Sequence, residues 1–398
     1  MTVAFVTFGC RLNRAEALEL EARYVAEGWE VVRAEAPGTP PDRIVVRGCA
    51  VTAKAQRDCE KAIDHLRERF PRAEILVTGC LPGAAATRDA RTDPGAEVLA
   101  RADVSRASLK VQDGCSGACA YCIVPRFRGP PVSRPFGDVL ARARAFLAAG
   151  FRELVVTGCN LCLYRDGARG LPELVAALAA LESPGHRVRL GSVEPTRESE
   201  RLLDALEAHP NVCRFLHLAV QSGSDRILRR MRRPTSAGEI AAFCETARKR
   251  LGPRLALGAD IIAGFPGETQ ADHDASRDLL AKAFIHLHAF PYSERPGTEA
   301  AAMSPSVPVA VRRQRAHELE RLVAANRRAF AKALVGQTVS VCVEKGGSGR
   351  TDEYLRCALV GHAPRRSLVR ATVQDYFPTS DAISATIRAN EQRGGMQP

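Results

Sequence analysis

Residues 108–125, SLKVQDGCSGACAYCIVP, carry Cys115, Cys119 and Cys122 in Cys-x3-Cys-x2-Cys spacing behind a short β-rich run. Three thiols within eight residues on one loop can converge on one centre. They are one short of the four ligands of a closed structural zinc site. A cubic iron–sulfur cluster has four corners, usually held by four thiolates, so three leave one iron open to an outside ligand. Tyr121, beside the last thiol, would help keep water from such a cluster. The plain alternative is three unrelated core thiols, because free cysteine is often buried.

The stretch before this loop alternates strand and helix. VAFVTF, WEVVRA, DRIVVR and AEILVT are β-rich runs, and AEALELEARYVAEG and AKAQRDCEKAIDHLRERF have helical periodicity. That alternation predicts a parallel sheet, whose ligands gather at the carboxyl ends of the strands. Three of the runs end on a Gly-Cys step, at Cys10, Cys49 and Cys80, so these cysteines are expected on one edge as a second three-thiol site. Gly9, Gly48 and Gly79 would let the backbone approach a bulky group. Cys59, mid-helix, serves as the comparison thiol.

After residue 107 the βα unit repeats six times, with strands SLKVQ, ELVVTG, RVRLGSV, RFLHLAV, LALGADIIAG and FIHLHAF. Six units suggest an open, three-quarter barrel, with active groups at the carboxyl ends of its strands. Thr157, Gly158 and Asn160 end strand two; Gly191, Ser192 and Glu194 end strand three; Gln221 and Ser222 end strand four; Asp260, Gly264 and Glu268 follow in GADIIAGFPGET. Singly these are turn or cap residues. Together they favour a nucleoside-sized ligand. Cys159 and Cys162 are left without a role. VRRQRAHELERLVAANRRAFAKAL is a long basic helix leading out of the barrel, and residues 334–390 then read as four short strands of a small β-barrel.

The cluster motif, with CAYCIVPRFRG, resembles the radical S-adenosylmethionine (SAM) enzymes, in their methylthiotransferase branch. The resemblance implies an α/β chain with a flavodoxin-like N-terminal domain (1–82), a linker (83–106), a partial (βα)6 radical SAM barrel (107–333), a TRAM-like RNA-binding β-barrel (334–390) and a tail (391–398). It implies a 4Fe–4S cluster on Cys115, Cys119 and Cys122 whose open iron chelates SAM and whose electron cleaves it to a 5′-deoxyadenosyl radical. An auxiliary 4Fe–4S cluster would sit on Cys10, Cys49 and Cys80. Thr157, Gly158, Asn160, Ser192, Glu194, Gln221, Ser222, Asp260 and Gly264 become candidates for cradling SAM. Arg128 becomes a candidate for substrate phosphate or for bracing the cluster loop, and Tyr292 and Arg295 for meeting substrate. In GRTDEYLR, Tyr354 would stack on a base and Arg356 contact phosphate, along with Arg350, Arg365, Arg366 and Arg370.

FGCRLNRAEA and GCAVTAKAQR are similar to the branch acting on threonylcarbamoyladenosine in tRNA; sister branches act on isopentenyladenosine or on a ribosomal protein. Three departures stand out. Arg47-Gly48 replaces the usual Asn-Thr, Arg126 replaces a Tyr, and the Cys80–Cys115 segment is short.

The bulk numbers agree. The 398 residues suffice for two or three domains, and 45% hydrophobic with 26% charged residues is ordinary for a globular chain. No apolar run approaches the ~20 residues of a membrane span. MTVAFVTFGC reads as a strand and not a signal peptide, so thirteen cysteines imply reduced thiols in a cytoplasmic setting. A net charge of +12 suits a phosphate-rich partner, although only seven of the basic residues are Lys. The expected partners are tRNA, SAM, an electron donor and a sulfur donor. The reading from another class is an RNA-binding protein with structural metal sites.

Overall fold

The computed structural model describes residues 1–32, 40–84, 98, 104–183, 185–195 and 197–388, so most of the expected linker and the whole tail lie outside the described residues. The chain opens with β1 (Thr2–Thr7), α1 (Arg11–Ala26), β2 (Glu30–Val32), β3 (Arg43–Gly48), α2 (Ala53–Arg69) and β4 (Glu74–Gly79). The strands pair in the order β2-β1-β3-β4, all parallel. Their Val- and Ile-rich runs are covered on both faces, which is why they read as continuous apolar stretches. Ile44 and Val46 pack with Ile63 and Leu66 of α2, and Val3 and Val45 with Leu20 and Tyr24 of α1. Thr52 caps α2 by accepting from the Ala55 amide. The strand order reverses between β1 and β3, and ligands bind beyond the carboxyl ends at such a reversal. Cys10 and Cys49 follow those two strands.

Six parallel strand positions follow. β5 (Ala107–Lys110) leads into a two-stranded ribbon, β6 (Gln112–Asp113) with β7 (Val132–Ser133), which clasps the cysteine loop and the short α3 (Val124–Arg128). Next come α4 (Phe136–Ala148), β8 (Glu153–Thr157), α5 (Leu171–Ala179), β9 (Arg187–Leu190), β10 (Ser192–Val193), α6 (Arg197–Ala208) and β11 (Phe215–Gln221). Then follow α7 (Asp225–Arg230), α8 (Ala237–Leu251), β12 (Ala256–Ala263), α9 (Gln270–Ala283), β13 (Phe284–Pro291) and α10 (Val309–Ala333). The strands form two parallel sheets, β5-β8-β9 and β10-β11-β12-β13. RVRLGSV, expected as one strand, breaks at Gly191. The Gly191 amide bonds to the Val156 carbonyl at 2.8 Å, and a Cβ there would stand 3.0 Å from that oxygen, so the chain swings over to pair with β11. A bond from the Cys213 amide to the Val188 carbonyl, 2.8 Å, keeps the halves together.

The C-terminal unit is a closed barrel, β14 (Thr338–Val343), β15 (Ser348–Thr351), β16 (Arg356–Val360), β17 (Leu368–Phe377) and β18 (Ala382–Ile387), in the order β14-β15-β16-β18-β17. It has five strands where the sequence suggested four. SGRT falls between the expected runs, yet it pairs with both β14 and β16. The barrel's Thr351–Tyr354 turn enters the amino-end side of the large barrel. There Arg189 bonds to the carbonyls of Thr351 and Asp352, Arg187 to that of Arg350, and both arginines to Glu153.

Candidate active site

Cys10, Cys49 and Cys80 converge at the carboxyl edge of the first sheet. A Cβ on Gly9 would lie 2.7 Å from Cys49 Cβ, and one on Gly79, 2.7 Å from the Gly48 carbonyl oxygen. Both glycines have positive φ, 89° and 92°, so the thiols approach only because no side chain intervenes. Asn13 ties the edge together, donating to the carbonyls of Phe8 and Gly48, each at 2.9 Å. Cys59 stands behind Cys49, its Sγ accepting from the Cys49 amide at 3.4 Å. It braces the second site's backbone, a role its mid-helix position did not suggest. Burial pushes the Cys49 and Cys80 thiols up, and Arg128 pulls both down.

Cys115, Cys119 and Cys122 lie on the loop between β6 and α3, partly exposed. Gly114 has φ 68°, and a Cβ on it would stand 2.0 Å from the Pro130 carbonyl oxygen. A Cβ on Gly117 would lie 3.2 Å from Cys115 Sγ and 3.7 Å from Cys119 Sγ, so the loop wraps a space that only glycine leaves clear. Burial pushes the Cys122 thiol up to about 11. Tyr121 packs edge-on to Phe265, 6.5 Å between centroids, and walls one side. Arg233, which sequence reasoning missed, bonds Glu194 at 2.8 Å and lies 3.7 Å from Cys119 Sγ.

Among the described residues, only His217, Asp260 and His288 bring three such ligand atoms all within 4.8 Å of one another. Neither thiol triad does. A single tetrahedral metal with ~2.3 Å bonds to sulfur would hold its sulfurs roughly 3.8 Å apart. As they stand the triads are not drawn in as a single ion would hold them, and their thiol chemistry and glycine-cleared cradles fit a cluster.

One buried network joins the two triads. Arg128, at the end of α3, donates to Cys80 Sγ at 3.0 Å, Asn13 at 2.8 Å, Glu16 at 2.9 Å and Asp113 at 2.8 Å. Glu16 also holds Lys110 at 2.5 Å and pairs with Arg47. The unusual Arg47 thus has a built partner. Burial pushes Glu16 up, and Arg47, Arg128 and Lys110 more than offset it, leaving its carboxyl below the usual range. Nothing in the sequence pointed to Glu16 or Lys110.

The expected SAM-cradling residues divide. Thr157 ends β8, and Gly158 leaves room for Gln112, whose Oε1 would stand 3.0 Å from a Cβ there. The Asn160 side chain caps the Cys162 amide at 3.1 Å. Ser192 is exposed and 3.4 Å from Asp260, and Gln221 takes φ 67° at the end of β11. Asp260 accepts from His288 at 3.1 Å, and His217 Nε2 lies 3.0 Å away. Burial pushes Asp260 up, but His217 and His288 bring it well below the ordinary carboxylate range. Ser222 is turned away from the cavity, under α9, where its hydroxyl meets Ser276 at 3.5 Å and accepts from the Ser224 amide. The approach expected at Gly264 is taken by Arg312, whose Cγ would stand 2.5 Å from a Cβ there.

Four substrate-facing expectations need correction. Arg128 is fully engaged inside the molecule, which leaves it as a brace of the cluster loop and not a phosphate contact. Arg295 is buried and bonds to Gln56 of α2, fastening the barrel to the N-terminal unit. Tyr354 stacks inward on Phe215, 5.0 Å between centroids, so that face of its ring is not open to a base. Tyr292 is buried beside Phe265 at 5.4 Å. Of the C-terminal arginines, Arg365 and Arg366 reach Ser105 and the Val104 carbonyl, while Arg356 and Arg370 are exposed.

A family model described as the radical SAM superfamily matches residues 109–280, and one described as uncharacterized protein family UPF0004 matches residues 2–100. A threonylcarbamoyladenosine tRNA methylthiotransferase of Chlamydia pneumoniae is 33% identical, over 99% of this chain and 97% of its own. A tRNA-2-methylthio-N6-dimethylallyladenosine synthase of Sphingopyxis alaskensis is 31% identical, over 92% and 90%. Among solved structures, the radical SAM methyltransferase TsrM of Kitasatospora setae, with cobalamin and a 4Fe–4S cluster bound, aligns with TM-score 0.54 at 13% identity, covering 75% of this chain and 74% of that one. At that identity the likeness is one of fold. Fold and site define a radical SAM transferase, a class that carries a 4Fe–4S cluster and SAM. The chain belongs to the radical SAM methylthiotransferase family.

Proposed function

We propose that this protein adds a methylthio group to C2 of N6-threonylcarbamoyladenosine beside the anticodon of tRNA, with a SAM-binding 4Fe–4S cluster on Cys115, Cys119 and Cys122 and an auxiliary one on Cys10, Cys49 and Cys80. The observation that carries this reading is the pair of three-thiol sites joined by Arg128, which reaches from the loop of one to Cys80 of the other. Bound there, the clusters and SAM supply one-electron cleavage of SAM and a sulfur to transfer.

The rest is the chain's own work. Arg128, Glu16 and Asp113 fix the spacing of the two sites. The Glu194–Arg233 pair holds the Cys119 loop, and Tyr121, Phe265 and Tyr292 keep water off it. Thr157, Gly158, Ser192 and Gln221, at neighbouring strand ends, and Asp260, within β12, supply polar groups for SAM. The exposed Arg356 and Arg370, with the +12 net charge, suit the phosphates of tRNA. The base must leave its stack to reach the cavity. The electron and sulfur donors are separate partners, and the setting is the cytoplasm.

Threonylcarbamoyladenosine is favoured by FGCRLNRAEA and by the Chlamydia pneumoniae relative; the dimethylallyl-directed relatives keep isopentenyladenosine as the alternative. Nucleoside mass analysis of tRNA from a deletion strain decides. Loss of the methylthio mass on the threonylcarbamoyl nucleoside is expected, and an unchanged profile defeats any tRNA role.

A further inference from the structure

Buried and half-buried arginines around the central cavity almost all meet a carboxylate. Arg106 meets Glu153 and Glu344, Arg128 meets Glu16 and Asp113, Arg189 meets Glu153, and Arg233 meets Glu194. Arg11 is different. It follows Cys10 directly and is half-buried, its Nη2 donates to the Tyr354 hydroxyl, and its guanidinium lies 5.1 Å from the centre of that ring. Its charge also acts on His288, the partner of Asp260. Among the described residues no Asp or Glu pairs with it. Three more guanidiniums lie 5.0–5.5 Å from the same ring, those of Arg106 and Arg189, which Glu153 holds, and that of Arg350, so Arg11 adds its charge to a ring already surrounded by cations. A partly desolvated guanidinium with no counter-charge is costly to keep. It is well placed to take a carboxylate, which its planar fork can bind with two hydrogen bonds.

We infer that Arg11, braced by Tyr354, is the specificity-determining residue that binds a carboxylate on the N6 chain of the substrate adenosine. The inference rests on the reading that the substrate is an N6-modified adenosine of tRNA, and it deepens that reading. C2 and C6 of adenine flank N1, so a chain on N6 lies along the same edge of the base as the reacting carbon. A base presented to the Cys10 site would carry the end of that chain close to the next residue, Arg11. An N6 chain ending in an apolar branch would instead leave the cation buried and unmatched.

The test uses the full-length reconstituted protein and two synthetic anticodon stem-loops. One carries the threonylcarbamoyl group as the free acid and the other carries it as the methyl ester. Binding and single-turnover methylthiolation are measured for wild type, Arg11→Gln, Arg11→Lys and Tyr354→Phe. A lost charge-assisted contact is worth a factor of roughly 10 to 100. Wild type is expected to bind and convert the acid better than the ester by about that factor. Arg11→Gln should lower the acid to the level of the ester and leave the ester unchanged, with Arg11→Lys recovering part of the difference. Equal losses on acid and ester would make Arg11 a merely structural residue and overturn the inference, as would an intact preference for the acid in Arg11→Gln. Tyr354→Phe should keep the acid preference, and loss of the preference there alone would move the role from Arg11 to the tyrosine. A wild type that treats acid and ester alike, and accepts a dimethylallyl stem-loop, would defeat the threonylcarbamoyl reading itself, an outcome seen before any variant is made.

Discussion

At the scale of single residues, the two thiol triads should separate under substitution. Cys115→Ala removes a ligand from the loop site, and Cys49→Ala removes one from the sheet-edge site, without touching the other. Each variant, purified without oxygen, is expected to hold one cluster's iron and sulfide where wild type holds two. Cys115→Ala should abolish reductive SAM cleavage, whereas Cys49→Ala should keep some cleavage and lose sulfur insertion. Full sulfur insertion by Cys49→Ala would remove the sheet-edge site from the chemistry. Glu16 makes a different case. It is 6% exposed and faces Arg47, Lys110 and Arg128. Glu16→Ala leaves buried cations unmatched, and removing one partner of a buried pair typically costs about 3–5 kcal/mol, readable as a lower denaturant midpoint. The pH dependence follows from the same network. Glu16 and Asp113 titrate lower in the folded chain than their ordinary 4.5 and 3.8, so their stabilisation is complete above those values. It is lost as pH falls through the depressed folded values. Stability should therefore drop below about pH 4.5, and Glu16→Gln should flatten that acid limb. An unaltered limb in Glu16→Gln would show that other carboxylates set it.

At the scale of elements, the cysteine loop depends on its glycines unequally with other turns. Gly114 and Gly28 both have positive φ, 68° and 83°. A left-handed conformation costs a non-glycine residue ~1–2 kcal/mol. Gly28→Ala meets nothing within 4 Å, so that strain is its whole cost. Gly114→Ala adds a Cβ 2.0 Å from backbone oxygen, which must move the β6–β7 ribbon under the loop. Iron in the loop site should fall sharply in Gly114→Ala and be unaffected in Gly28→Ala; equal iron in both would show that the loop tolerates the shift. Much of this level was legible beforehand. The six strand runs and the Gly-Cys endings mark their elements because parallel strands buried on both faces are nearly continuous apolar runs. What escaped the reading was interaction across the chain. Ser222 and Gly264 look like ligand-facing strand ends, and only α9 and α10 packing over them shows otherwise. Arg128 and Arg295 look like surface cations until carboxylate or amide partners from the N-terminal unit meet them, more than 100 residues away in sequence. SGRT stood outside the expected strand runs because its pairing partners, not its own residues, make it a strand.

At the scale of the whole molecule, the C-terminal barrel is joined to the large barrel through buried charge. Glu153 is fully buried between Arg187 and Arg189, and both arginines also bond to the turn region of the small barrel. Arg254 adds a pair with Glu353, and His286 reaches the Glu353 carbonyl at 3.1 Å. Phe215, Ala256 and Ile285, from the first residues of three large-barrel strands, share one hydrophobic cluster with Val339, Val341 and Ile383 of the small barrel. A flexibly tethered RNA-binding appendage would bury none of these. The two barrels are therefore expected to unfold together. Calorimetry should show them in one transition, and truncation after Leu334 should destabilise the large barrel by exposing Arg187, Arg189 and that apolar floor, with loss of soluble, folded protein. The truncation also removes Tyr354, so a shortened chain that stayed folded would still lack the brace on Arg11. If the shortened chain instead kept its melting temperature and its preference for an acidic N6 chain, the small barrel would be a separable module, and its turn would contribute nothing to the cavity.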